Sequence, residues 1–410
     1  MEASNILVGV VGKTNVGKST FFSAATELSV AIENRPFTTI EPNIGVGYVR
    51  KKCVHVKLGL PRCDASNSVC LDGDRMIPVK MMDVAGLVPG AHKGRGLGNK
   101  FLDDLRKADV LLLVVDASGS TDPDGNPVKP GAYDPADEVE QMLREIDEWM
   151  FSIISKDWDR FAKYVDTGGV LDVAGAIAER MSGLSVRKKH VVEALEKAGL
   201  SDKPLSRWSV DELRTFTRVL RETAKPIVIV ANKVDIPEAE DGIKSLRRRF
   251  PNYPVIPTSA AAELALRRAA KAGLVKYKPG DPSFEVVDES RLSPRERAVL
   301  DLIRNRVLER WGSTGVQQAI NKAVLEVLDM IAVYPVEDPN KFTDKQGRVL
   351  PDVLLVPRGT TARELAYKIH TDLGRTFLYA INALTKQRVG ENYVLKDDDV
   401  IKIVAAASRG

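Results

Sequence analysis

The stretch "NILVGVVGKTNVGKSTFF" (5–22) limits the fold more than any other part of the chain. An apolar run of strand length ends at Gly12, a glycine-bearing turn follows, and a helix pattern starts at once. A short apolar run ending at glycines reads as a strand buried on both faces, which points to a parallel sheet covered by helices. "VLLLVVDAS" (110–118), "KPIVIVANKVD" (225–235) and "YPVIPTSA" (253–260) have the same texture, with helical patterns between them. The expected fold class is α/β: a doubly wound, mostly parallel sheet with its ligand at the carboxyl ends of the strands.

Four short motifs fall at those ends. "GKTNVGKS" (12–19) fits G-x-x-x-x-G-K-[ST] in the strand–loop–helix context that the motif requires. Its glycines let successive N–H groups point at phosphate oxygens. Gly12, Asn15, Val16, Gly17, Lys18, Ser19 and Thr20 are therefore the expected phosphate-binding residues of a P-loop NTPase. Lys18 would neutralise β/γ-phosphate charge, and the Ser19 hydroxyl would serve Mg²⁺. "DVAG" (83–86) follows the apolar "IPVKMM". Asp83 there would hold Mg²⁺ through its water shell, and the Gly86 N–H would meet a γ-phosphate. "NKVD" (232–235) addresses the choice of base. The Asp235 carboxylate can accept from both the ring N–H and the exocyclic amine of guanine, a donor pair that adenine lacks. Lys233 can lay its stem on the base plane, and Asn232 can brace neighbouring loops. In "TSA" (258–260) the N–H groups of Ser259 and Ala260 are candidates for the guanine oxygen. The expected substrate is GTP, with GDP as product.

The rest of the chain divides by pattern. Residues 1–136 and 225–275 form the G domain, interrupted by a helical insertion over 137–224, too long for a single crossover helix. Within 135–165, Val139, Met142, Leu143, Ile146, Trp149, Met150 and Ile153 fall on one helical face. "SVDE" (209–212) and "SPRE" (293–296) are capping boxes. Residues 276–330 read as a helical connector. From 331 to 410 a strand, strand–helix, strand, strand order suits a small β-grasp (ubiquitin-like) domain.

"RPFTTIEPNIG" (35–45) and "DVAGLVPGAHKGRGLGNKFLDDLRKADV" (83–110) resemble the switch I and switch II segments of the Obg-related translational GTPases, in particular the YchF branch and its archaeal relatives. A helical insertion in the G domain and a C-terminal TGS domain are features of that family. The resemblance implies a nucleotide-dependent switch that hydrolyses GTP to GDP and phosphate and associates with a ribosome or other RNA. Thr38 or Thr39 would ligate Mg²⁺ and sense the γ-phosphate, and the family favours Thr39. The YchF branch often carries a degraded base motif and tolerates ATP, whereas this chain has the intact Asn232-Lys233-x-Asp235. Leu87 stands where many GTPases place a water-orienting glutamine. Asn15 resembles the asparagine of potassium-activated GTPases, in which K⁺ supplies the charge of an arginine finger. His92, Lys93 and Arg95 follow in a glycine-rich loop and could approach the phosphates. Two rival functions use the same motifs: a nucleotide-loaded RNA- or protein-binding scaffold with negligible hydrolysis, and an ATP-preferring P-loop NTPase.

Composition sets the remaining limits. A net charge of +4 is too small for a generally basic nucleic-acid binder. Residues 244–310 are locally basic, with 15 Lys or Arg against 8 Asp or Glu, which reads either as a phosphate-contacting surface or as solvated helix faces. No apolar run approaches membrane-span length, and the N-terminus has no basic leader, so a cytoplasmic location without a membrane partner is expected. A monomer is expected as well, although no sequence feature sets the oligomeric state. Cys53, His55, Cys63 and Cys70 are four ligands of zinc-compatible type, though without a tight C-x-x-C knuckle. Free thiols in a hairpin and a Cys63–Cys70 disulfide are the other readings.

Overall fold

The computed structural model describes residues 4–27, 43–84, 104–168 and 170–406. They fall into two compact units. The described residues of one are 7–27, 81–84, 104–168 and 170–319, and those of the other are 4–6, 43–80 and 320–406.

In the first unit the strands Leu7–Val11, Val110–Asp116, Ile227–Asn232 and Val255–Pro257 run parallel in that order. Val8 pairs with Val110, Leu112 with Val228, and Val230 with Ile256. All seven residues of Val110–Asp116 and all six of Ile227–Asn232 are buried, which explains the apolar runs that lead up to the terminal Asp116 and Asn232. The end of the strand Asp74–Asp83 also reaches this sheet, where the Val84 N–H donates to the Val10 carbonyl at 3.1 Å.

Between the second and third of these strands come the helices Pro135–Ile154, Trp158–Thr167, Val173–Arg180, Lys188–Ala198 and Val210–Ala224. The apolar face expected over 135–165 is cut in two. Asp157 takes a left-handed conformation (φ +54°) and starts a new helix. Ile154 is buried in the break, while Ile153 and Leu143 are only half-buried. The aromatic contacts Trp158–Trp208 at 5.5 Å and Trp208–Phe216 at 5.1 Å fill the space between helices. Both capping boxes form: Ser209 N–H donates to Glu212 at 2.7 Å and Ser293 N–H to Glu296 at 2.8 Å. Pro294 opens its helix, and Gly312 (φ +77°) ends the helical stretch.

In the second unit a five-stranded sheet has the order Leu354–Pro357, Met330–Pro335, Val400–Ala405, Phe377–Asn382, Gln387–Val389. The central strand Val400–Ala405, last in sequence, pairs in parallel with its neighbour Met330–Pro335, the first in sequence, with Tyr334 opposite Val400. The helix Ala362–Ile369 covers one face, and Ile331, Val333, Val356, Leu365 and Ile401 form the core beneath it. This is a β-grasp arrangement. The same unit holds the strand Ile44–Lys52 and the hairpin Val69–Leu71 with the start of Asp74–Asp83.

Candidate nucleotide-binding site

The phosphate loop is shaped by glycines in contact with other backbone. A Cβ on Gly12 would stand 2.5 Å from the Val114 carbonyl oxygen of the neighbouring strand. Gly17 caps the helix Lys18–Thr26 at φ +92°, and a Cβ there would meet the Asn232 Nδ2 at 2.3 Å. The helix N-terminus therefore opens straight from the loop, where its free N–H groups and dipole favour an anion. Val16 is fully buried beneath the turn, and Asn15 adopts φ +62°. Ser19 and Thr20 occupy the first turn of the helix.

Asn232, only 3% exposed, links this loop to the opposite end of the site. Its Nδ2 donates to the Val16 carbonyl at 2.8 Å, and its Oδ1 accepts from the Ala260 N–H at 3.0 Å. Asp235 accepts from the Ser259 hydroxyl at 2.7 Å. That hydroxyl also caps the helix Ala260–Lys271 by accepting from the Ala262 N–H at 3.3 Å. The Ser259 N–H donates to the Thr314 carbonyl at 2.9 Å. The N–H groups of both Ser259 and Ala260 are thus engaged within the protein, and a base oxygen would have to exchange with these bonds.

Lys233 takes φ +69° and directs its ammonium to the buried Asp116 at 2.8 Å. Asp116 also accepts from the Ser118 N–H and from the hydroxyls of Ser118, Ser120 and Thr121. Burial pushes this carboxyl up, but Lys233 and the two serines outweigh it and hold the group below the usual carboxylate range.

Lys18 forms an ion pair with Asp83 at the end of its strand. The nearby donors, the Ser19 hydroxyl and the Asp83 carboxylate, are oxygen only. That set fits Mg²⁺, which takes one or two carboxylates with phosphate oxygens and waters.

Residues 118–134 cover the other side of the phosphate loop. Lys13 donates to the Asp122 carbonyl at 2.8 Å and pairs with Glu138 at 3.1 Å. The Asn15 amide donates to the Gly125 carbonyl at 2.9 Å. Burial drives the Glu138 carboxyl up to about 7 despite Lys13.

Thr38, Thr39, Gly86, Leu87, His92, Lys93 and Arg95 lie outside the described residues. Cys53, His55, Cys63 and Cys70 belong to the other unit, where their ligand atoms all lie within 4.8 Å of one another and the thiols are free.

Sequence reasoning missed Asp116, although "VVDAS" ends a strand in the same way as "MMDVAG" and carries a serine two residues on. It also missed Thr314 and Gly315. A Cβ on Gly315 would lie 2.0 Å from the Pro257 carbonyl, and Thr314 hydrogen-bonds to the buried Glu263. "STG" reads locally as a helix cap, so nothing in it signals this long-range contact. Part of the basic run over 244–310 is ion-paired: Arg249 pairs with Asp137 and Glu140, Arg267 with Glu263, Arg268 with Glu27, Arg297 with Glu289 and Arg310 with Glu240. Pairing of this kind leaves less free charge for a phosphate backbone.

Comparison with known proteins places this geometry in a family. Residues 7–156 match the family described as 50S ribosome-binding GTPase. Residues 230–338 match the G4-motif-containing domain of YGR210-like Obg-like GTPases, and residues 340–405 match the TGS domain. A Methanocaldococcus jannaschii protein, named an uncharacterized GTP-binding protein, is 51% identical over 98% of this chain and 99% of its own. The ribosome-binding ATPase YchF of Haemophilus influenzae is 33% identical over 96% of this chain and 97% of its own. The crystal structure of a GTP-binding protein from Pyrococcus horikoshii superposes with a TM-score of 0.77 at 43% identity, covering 99% of this chain and 100% of that one. With a relative this similar along nearly the whole length of both sequences, and with the phosphate loop and TGS domain in place, the chain belongs to the Obg-like, YchF-type family of GTP-binding proteins.

Proposed function

We propose that the chain binds GTP with Mg²⁺ and hydrolyses it to GDP and phosphate by attack of a water, and that a ribosome or other RNA reads the two nucleotide states. The observation that carries this reading is the double engagement of Asn232, which ties the phosphate loop to the base loop that holds Asp235. One rigid bridge between the two ends suits a single ligand that spans them.

In this reading Asp235 accepts the paired N–H donors of guanine, and Ser259 fixes the carboxylate in place. Lys18 exchanges Asp83 for a phosphate oxygen when nucleotide enters. Ser19 and Asp83, joined by Thr39, would hold Mg²⁺, which neutralises charge on the phosphate oxygens. Leu87 cannot orient a water by hydrogen bonding. The barrier must therefore fall through positioning and charge neutralisation by the loop N–H groups and Lys18, with Gly86 as a further donor. Asn15 is the candidate to hold a K⁺ that adds positive charge. Its amide now faces the Gly125 carbonyl, so a cation there would have to reorganise this contact.

The Haemophilus relative is named a ribosome-binding ATPase, which supports a ribosomal partner and makes ATP the competitor to exclude. Among the described residues no helix is long and apolar enough to cross a membrane. Single-turnover hydrolysis in K⁺ and in Na⁺ tests the enzyme reading. Phosphate release faster in K⁺ is expected, whereas no release in either salt favours a nucleotide-loaded scaffold. Co-sedimentation with ribosomes should be stronger with a non-hydrolysable GTP analogue than with GDP. Equal pelleting in both states would count against a switch.

A further inference from the structure

The second unit carries a four-ligand cluster that the nucleotide chemistry does not use. Cys53 follows the strand Ile44–Lys52, His55 lies on the short helix Val54–Lys57, Cys63 is in the loop beyond it, and Cys70 is on the hairpin strand Val69–Leu71. The hairpin register sets Cys70 opposite Arg75, and the Cys53 N–H donates to the Gly73 carbonyl at 2.9 Å. Three separate pieces of backbone thus converge on one point without a C-x-x-C knuckle, which is why spacing alone does not reveal it.

The distances suit a metal. Cys53 Sγ lies 3.8 Å from Cys63 Sγ, and Cys70 Sγ lies 3.8 Å from His55 Nδ1. All four ligand atoms are within 4.8 Å of one another. Ligands at about 2.3 Å from a tetrahedral Zn²⁺ stand roughly 3.8 Å apart. A disulfide closes to about 2.05 Å and would use only two of the three sulfurs.

Charge gives a second, independent reason. Arg75 is fully buried beside the cluster. Its Nη1 donates to Cys63 Sγ at 3.2 Å and reaches Cys53 Sγ at 3.9 Å, and its Nη2 donates to the carbonyls of Leu350 and Pro351. Neither carbonyl bears a formal charge; the half-buried Asp352 carboxylate and the Tyr334 ring, 5.6 Å from the guanidinium, also face this cation, but the sulfurs are the groups in direct contact that can carry a formal negative charge. Three neutral thiols, or a disulfide with one thiol, leave this buried cation without a negative charge among the groups it touches, a costly arrangement that Asp352 relieves only in part. Three thiolates and a neutral imidazole around Zn²⁺ carry a net charge of −1, and Arg75 cancels it.

We propose that Cys53, His55, Cys63 and Cys70 bind one structural Zn²⁺, with Arg75 as the buried countercation. Sulfur and imidazole ligands select zinc over Mg²⁺ or Ca²⁺, and four protein ligands close the coordination sphere. The ion fastens a stretch without regular structure. Residues 61–68 form neither helix nor strand, yet the Asp64 N–H donates to the Val349 carbonyl and the Ser66 N–H to the Pro351 carbonyl, both at 2.8 Å. The Asn67 side chain exchanges hydrogen bonds with Val353 at 2.8 and 3.0 Å. A metal at Cys63 would hold this edge against the segment that leads into the β-grasp sheet.

The test is metal analysis of the full-length chain, purified without an affinity metal and dialysed against metal-free buffer. About one zinc per chain is expected. Cys63→Ser and Cys70→Ser should abolish zinc retention while GTP-analogue binding in the other unit persists, which shows that the variants are folded. Arg75→Met should weaken zinc retention without removing a ligand. If the cysteine variants are insoluble, Co²⁺ loading of the wild-type chain decides. Intense visible bands of a tetrahedral thiolate site are expected, and they should disappear on adding Zn²⁺. A wild-type chain that holds neither ion after zinc-supplemented expression, with three thiols freely titratable or with a mass two hydrogens lower, would overturn the assignment.

Discussion

The Asn232 side chain donates to the Val16 carbonyl at 2.8 Å, a contact between residues 216 positions apart. Because the same side chain accepts from Ala260, the two hydrogen bonds fix the distance between phosphate loop and base loop. Asn232→Ala would leave a buried N–H and a buried carbonyl without partners, each costing about 1–3 kcal/mol. GTP affinity measured with a fluorescent analogue should fall by more than about tenfold, and thermal unfolding should come earlier. A variant that binds as tightly as wild type would show that the bridge is incidental.

Gly17 faces the same amide. Gly17→Ala introduces a Cβ 2.3 Å from Asn232 Nδ2 on a residue at φ +92°, so both sterics and backbone conformation oppose it. Nucleotide binding should be lost while the circular dichroism spectrum keeps its helical signal. Gly183→Ala is the control, since nothing lies within 4 Å of a Cβ there. Nucleotide affinity unchanged from wild type is the expected result for it.

Glu138 gives the phosphate-loop region a pH dependence. Burial raises its carboxyl from the ordinary 4.5 to about 7. The folded state therefore binds the proton more tightly than the unfolded chain. The stability this contributes is full below the unfolded value and is lost as pH rises from about 4.5 to 7. Glu138→Gln stays uncharged throughout. Its melting temperature should lose that part of the wild-type decline between pH 5 and pH 8, and parallel curves for the two proteins would contradict the assignment.

Much of the architecture was legible because strands buried on both faces betray themselves as apolar runs, and because the motifs at their ends have few other uses. The capping boxes at Ser209 and Ser293 were legible for a similar reason: both partners lie within one turn. Asp157 was not, since a left-handed aspartate that divides a helix looks in sequence like another polar position of the same periodic stretch. The bond from the Ser259 N–H to the Thr314 carbonyl was also hidden, because it joins residues that share no local pattern. The basic texture over 244–310 left two readings open for a different reason. Its partners, such as Asp137, Glu140 and Glu27, come from segments far away in the chain.

The proposed function rests on guanine recognition by Asp235, which Ser259 fixes in place. The most direct test is competition of GTP, ATP and XTP for the wild-type chain and for Asp235→Asn. Wild type should prefer GTP. The asparagine variant should lose that preference and gain affinity for XTP, because its amide can donate to the carbonyl that replaces the exocyclic amine of guanine. ATP binding wild type more tightly than GTP, or a variant that keeps full GTP preference, would rule out guanine recognition by Asp235.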